Sequence, residues 1–242
     1  MKKLLAILVC SAKVSEAVIL VDKVGAASAA TATAVTVNAI SPNPGDLIVI
    51  ACYQNVNNTS TVTMSDSSGK DTYIQIGGYV SQTTTDRMGM FYAPSSKPLS
   101  GITCTWSGGI SGTITMALYT ISGMNNASPL DAFTSSTLAS GTSVTSGSLT
   151  TTHNPDIILV AAGQAATGLT GITQAAPFIN KPGDKLASGG IGMFYYIPPD
   201  LQSGLTTVLT YSGGTATEID TIMASFLGAG TCQSSFCGVL GQ

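Results

Sequence analysis

Charge is scarce in this sequence. Of 242 residues, nine are Lys or Arg and twelve are Asp or Glu, for a formal net charge of −3. The basic residues are scattered, so there is no electrostatic footprint for a phosphate backbone, and nucleic-acid binding is not expected. No apolar run beyond the N-terminus approaches the ~20 residues that a membrane-spanning helix needs. His153 is the only histidine. A Ser-His-Asp relay needs that base oriented by a carboxylate, and Asp156 lies three residues away across Pro155, in what reads as a turn; the expectation is a solvated loop histidine. Beyond residue 17 the only glutamate is Glu218, which leaves little for paired-carboxylate glycoside hydrolysis. Glu218 and Asp220 at strand spacing point to one face, a commonplace arrangement. The Gly-Gly pairs have no Lys and no following helix, so they do not cradle phosphate. An enzyme is not expected, and no catalytic, cofactor-binding or metal-ligating residue is assigned.

The two ends suggest a compartment. Met1-Lys2-Lys3 followed by Leu4 to Cys10 has the charged and apolar parts of a secretory signal, and Ser15-Glu16-Ala17 offers small residues at the positions a signal peptidase reads. Residues 1–17 are expected to be that signal and the mature chain to be secreted. Cys10 follows Val9, not a small residue, which argues against lipoprotein processing. Four cysteines then remain, Cys52, Cys104, Cys232 and Cys237, an even number compatible with two disulfides in an oxidising compartment. Three pairings are open; the simplest joins Cys232 to Cys237 in the tail 230–242, and Cys52 to Cys104 between two core strands. A zinc site would need a Cys/His cluster at ligand spacing, which the distant single histidine does not supply.

What is abundant is Gly, Ser, Thr and Ala, arranged in short strands. Val18-Ile19-Leu20-Val21 reads as a first strand, able to complete its own sheet or to pair with a neighbouring subunit. Thr31 to Val37 alternates with period two, as does Thr61 to Met64. Leu47 to Cys52 and Ile157 to Ala162 are instead apolar at every position, so both are expected to be covered on both faces, by a loop or another subunit. Ser65 to Asp71 has the residues of a tight hairpin, with Thr72 to Ile76 as its return strand. Its carboxylates invite a calcium reading, but the spacing lacks the terminal Glu of a defined calcium loop and Asp commonly stabilises turns; no cofactor is assigned.

One stretch occurs twice: Met88-Gly89-Met90-Phe91-Tyr92 and Ile191-Gly192-Met193-Phe194-Tyr195. Each ends near a proline and leads to an aromatic-Ser-Gly-Gly turn, at Trp106 and at Tyr211. Within each copy Met/Ile, Met and Tyr face one way and Gly and Phe the other, and the glycines suggest close approach of another backbone. The repeat spans roughly 31–123 and 140–228 inside one domain, 18–229. The predicted fold is all-β, a double Greek-key or jelly-roll-like sandwich built from two similar halves.

Three segments carry a resemblance: Gly45-Asp46-Leu47-Ile48-Val49, Ser65 to Tyr73, and Phe91-Tyr92-Ala93-Pro94. They resemble β-sandwich modules of bacterial and phage surface proteins, in which a similar apolar strand precedes an Asp-Ser-x-Gly-Asn-x-Tyr hairpin. Lys70-Asp71 departs from that pattern, and the second half lacks it. The charge-poor surface, the two strands apolar on both faces and the N-terminal strand lead to the expectation of a non-catalytic structural or adhesive subunit of a surface fibre, surface layer or virion. Its expected partners are copies of itself, through sandwich faces and the strand Val18, Ile19, Leu20, Val21. The alternative is a carbohydrate-binding module, with glycans contacting Tyr53 and Tyr79.

Overall fold

The computed structural model describes residues 18–230, apart from 57–58, 83, 96–98, 109–111, 155, 165–168, 184 and 186–189. Residues 1–17, expected to be a secretory signal, and residues 231–242 of the tail, with Cys232 and Cys237, thus lie outside the described residues. The described chain is all-β, and every sheet is antiparallel.

Residues up to Ser122 build two sheets. One has the order β1 (Leu20–Ala29), β8 (Ile114–Ser122), β3 (Leu47–Gln54), β6 (Arg87–Pro94), β5 (Ile74–Gln75); the other is β2 (Ala34–Asn38), β7 (Gly101–Trp106), β4 (Val62–Asp66). Residues from Leu130 build two more. These are β13 (Ile191–Tyr196), β11 (Asp156–Gly163), β15 (Ala216–Leu227), β9 (Leu130–Gly141), and β10 (Ser143–Thr145), β14 (Val208–Ser212), β12 (Gly171–Gln174). The repeated strands hold matching registers: Gly89, Met90, Phe91 and Tyr92 lie opposite Cys52, Ala51, Ile50 and Val49, while Gly192, Met193, Phe194 and Tyr195 lie opposite Ala162, Ala161, Val160 and Leu159.

The sheets stack in four layers around three apolar cores. Ile48, Ile50 and Cys52 of β3 pack with Val35, Ile102, Cys104 and Trp106 of the first outer sheet. Ile158, Val160 and Ala162 of β11 pack with Val144, Ile172, Leu209 and Tyr211 of the second. The remaining faces meet each other: Leu47, Val49, Ala51 and Tyr53 of β3 share a central core with Ile157, Leu159 and Ala161 of β11. Tyr92 of β6 meets Phe226 of β15 edge-on at 5.8 Å, and Tyr119 of β8 meets Tyr195 of β13 at 5.8 Å. The Tyr119 hydroxyl also donates to the Met193 carbonyl at 2.6 Å.

This explains the two strands without alternation. β3 and β11 are buried at every residue because each inner sheet has an outer sheet on one face and the other inner sheet on the opposite face. The outer strands keep the period of two, as β14 does with Leu209 and Tyr211 inward and Val208, Thr210 and Ser212 outward. The expected cover by a loop or another subunit is therefore corrected: each half of the chain covers the other.

Three further expectations change. The Ser65 to Asp71 segment is not a hairpin, because β4 pairs with β7 in an outer sheet while β5 pairs with β6 in an inner one; it is a corner that carries the chain between layers. Asp66 Oδ1 accepts hydrogen bonds there from the Ser68 and Gly69 amides, at 2.7 and 2.8 Å, so the carboxylate serves its own turn. The glycines of the repeat make room for side chains and not for backbone: a Cβ at Gly89 would stand 2.9 Å from the Tyr79 ring, and one at Gly192 2.8 Å from the Ile172 methyl. The N-terminal strand is longer than Val18 to Val21 and pairs with β8 along its length, from Leu20 opposite Ser122 to Ala29 opposite Ile114. Ile19 and Val21 enter the central core, while Val18 and Leu20 face outward.

Candidate functional site

The chemistry of this chain gathers where carboxyl groups are buried. An aspartate stands at the start of both apolar runs, Asp46 just before β3 and Asp156 as the first residue of β11, but their turns differ by one residue. In Asn43-Pro44-Gly45-Asp46, Gly45 adopts φ +95°, and the chain curls back so that Asp46 Oδ2 accepts the Asn43 amide hydrogen at 2.8 Å. In Asn154-Pro155-Asp156 the glycine is missing. Asp156 is fully buried and neither of its oxygens receives a donor from the chain. It lies against Asp131, and burial first, then the Asp131 charge, pushes its carboxyl up to about 8.

Asp131 has the donors that Asp156 lacks. It accepts from the Thr152 amide at 2.8 Å, the Thr152 hydroxyl, His153 Nδ1 at 3.0 Å and the Ser225 hydroxyl at 3.4 Å. Burial raises its carboxyl, but the bonds from Thr152 and His153 outweigh burial and hold it below the usual value. The His153 side chain is 30% exposed and that of Asp131 2%, so the pair sits at the rim of the second half. His153 therefore has an orienting carboxylate, Asp131 and not the sequence neighbour Asp156. The hydroxyls that reach this group lie on the Asp131 side: Thr152 Oγ1 at 2.7 Å from Nδ1, and Ser225 on the carboxylate itself. A relay requires its nucleophile on the far ring nitrogen, and among the described residues the hydroxyls bonded to this group lie on the near side.

A second carboxyl pair lies where the halves meet. Asp86, just before β6, and Asp220 of β15 are both fully buried. Asp86 accepts from the Gln82 amide at 3.0 Å and the Ser81 hydroxyl at 3.3 Å, whereas neither oxygen of Asp220 receives a donor. Burial, then the Asp86 charge, pushes the Asp220 carboxyl up to about 9. Glu218 takes a φ of +51° and stays half-buried, so it and Asp220 do not share one environment as plain alternation would have them do. Its Oε1 accepts from the Thr85 hydroxyl at 2.7 Å, and its backbone carbonyl accepts from the Tyr53 hydroxyl at 3.1 Å.

The residues singled out from sequence are not brought together. Tyr53 is 1% exposed inside the central core and offers a glycan no open face. The Tyr79 hydroxyl accepts the Val62 amide hydrogen at 2.6 Å, its ring packs against Trp106 and Phe91, and the Arg87 guanidinium covers it at 4.0 Å. Cys52 and Cys104 are adjacent, both buried and both free, and the Cys52 thiol donates to Met64 Sδ at 3.8 Å; the expected bridge between these strands is not formed. Burial foremost drives the Cys52 thiol well above its ordinary range. A shallow groove of about 390 Å³ runs beside the Asp66 corner, lined by Val62, Thr63, Met64, Asp71, Tyr73 and their neighbours. Among the described residues no helix is long and apolar enough to cross a membrane.

Asp86 and Asp131 escaped the sequence reading because nothing local marks them. Each owes its importance to a partner far along the chain, Asp220 and Asp156. Comparisons with protein-family models, with curated proteins and with solved structures find no match to this chain.

Proposed function

We propose that this chain is a non-catalytic structural or adhesive subunit that works outside the cell, in a surface fibre, surface layer or virion, by associating with copies of itself. The observation that carries this reading is the edge formed by β9. Edge strands ordinarily carry charge, proline or a bulge that discourages pairing with another sheet. β1 obeys that rule: Asp22 and Lys23 sit at a register shift between Val21 and Lys23. β9 has the same device only at its start, where Asp131 stands unpaired at a register shift between Leu130 and Ala132; from Ala132 to Gly141 this edge holds no charge and presents Phe133, Ser135, Thr137, Ala139 and Ser140 to solvent. Such an edge suits pairing with a second copy. The apolar faces of β3 and β11 no longer support this reading, since they are covered within the chain.

Light scattering and electron microscopy of concentrated protein provide the test, with Thr137→Lys as the comparison. Assembly that the lysine abolishes fits the reading; a monodisperse monomer at all concentrations removes it. The second reading, a carbohydrate-binding module, now rests on the polar groove of Thr63, Asp71, Thr72 and Tyr73 in place of Tyr53 and Tyr79. A glycan array without signal would leave it unsupported.

A further inference from the structure

We propose that Asp220 keeps its proton at neutral pH and donates it in a hydrogen bond to Asp86, forming a clasp between the two halves that holds in acid and opens in alkali. The argument begins with donors. Asp86 accepts hydrogen bonds from the Gln82 amide and the Ser81 hydroxyl, so its oxygens have donors. Asp220 is fully buried and neither of its oxygens has a donor at bonding geometry; the Gln82 amide eases its charge less than burial and Asp86 oppose it, so ionising it would place a poorly solvated charge beside a second carboxyl. The arrangement that satisfies both carboxyls is a neutral Asp220 donating its own hydrogen to Asp86. Asp156 and Asp131 repeat the division of donors: Asp131 has them, and the buried Asp156 has none.

Among the described residues no cation relieves Asp220. Glu218, on its own strand, adds a further like charge, and its Oε1 is bonded to Thr85. β3 contributes the Tyr53 hydroxyl, committed to the Glu218 carbonyl, and β14 contributes Tyr211, whose phenol burial and Asp220 together drive upward. Arg87 follows Asp86 in sequence, but its guanidinium lies over Tyr79 and bonds the Ser60 carbonyl. The location makes the proton matter: Asp86 belongs to the first half and Asp220 to the second, so ionising both sets one charge against the other across the central core.

The sign follows from linkage. A carboxyl raised on folding contributes stability that is complete below its unfolded value near 3.8 and is lost as pH climbs through its folded value, about 9 for Asp220. Within that window each such proton changes the folding equilibrium constant by up to about tenfold per pH unit.

The experiment is thermal unfolding of the full chain from pH 5 to pH 10, alongside Asp220→Asn, a neutral isostere whose amide can donate to Asp86. The wild type is expected to melt at progressively lower temperature as pH rises, and Asp220→Asn to show a visibly smaller fall. An equal fall in both proteins overturns the proposal. Infrared spectra of the wild type at pH 7 keep it falsifiable if the variant does not fold: a protonated carboxyl band that disappears on unfolding is expected, and its absence overturns the clasp. Calcium is the rival occupant. Stabilisation of the wild type by millimolar calcium at pH 8, lost in Asp220→Asn, would mean that the pair holds a cation and not a proton, and would overturn the proposal as well.

Discussion

Asp46 and Asp156 occupy the same place at the start of two equivalent apolar runs, and one glycine separates their fates. With Gly45 in the left-handed region, the first turn brings Asn43 back to donate to the aspartate. Without that residue the second aspartate has no donor and must settle against Asp131. The same residue type at the same strand position is a turn cap in one half and a buried acid in the other. Turn length, and not the identity of the side chain, decides which.

The strongest way to break the correspondence between halves is to cut into what they share. Phe226 and Ile121 face the central core from β15 and β8, the two strands that flank β11 and β3. Phe226→Ala is expected to cost about 3–5 kcal/mol and Ile121→Ala about 2–5 kcal/mol. Because the core is common, each is expected to lower one cooperative melting transition for the whole chain. Two separate transitions, one per half, would show that the halves do not depend on each other.

The aspartates sharpen the comparison at smaller cost. Asp46→Asn weakens a charge-assisted turn bond and is expected to destabilise by about 1 kcal/mol. Asp156→Asn is expected to do the reverse at pH 9, since an amide can donate to Asp131 where an ionised Asp156 would repel it. Asp156 is raised to about 8, so its contribution is whole below about pH 4 and lost as pH rises through 8; the advantage of the asparagine should fade in acid. Urea unfolding at pH 5 and pH 9 measures both. An Asp156→Asn variant less stable than wild type at pH 9 would mean that the pair is not a source of strain.

Much of the fold was legible. Periodicity marked β2 and β4 as half-exposed and β3 and β11 as covered on both faces, and the repeat located β6 and β13. What periodicity could not carry was the identity of the cover, since a strand apolar at every position looks the same whether another subunit or its own chain lies over it. The Asp66 corner misled for a related reason: turn chemistry specifies a reversal of the chain but not whether the next strand joins the same sheet. The acid pairs were illegible because partners as far apart as Asp86 and Asp220, or on separate strands as Asp131 and Asp156 are, leave no local pattern. Tyr53 was misjudged because its strand ends inside the seam, where a polar hydroxyl can be satisfied by the Glu218 carbonyl.

The cysteines give the smallest effect and the simplest reading. Cys52 and Cys104 lie in the first core, where burial raises the Cys52 thiol and keeps reagents away. Neither is expected to react with a thiol reagent in the native protein, and both are expected to react after denaturation without reduction. A mass two hydrogens lighter that denaturant and reductant together restore would instead place a disulfide there.

Hydrogen exchange on the full chain tests the central claim most directly, that each half covers the other. The amides of β3 and β11 should be the slowest in the molecule and should exchange with the same free energy, equal to that of global unfolding. If β11 exchanges through an opening that leaves β3 protected, the two inner sheets are not one core and the claim fails.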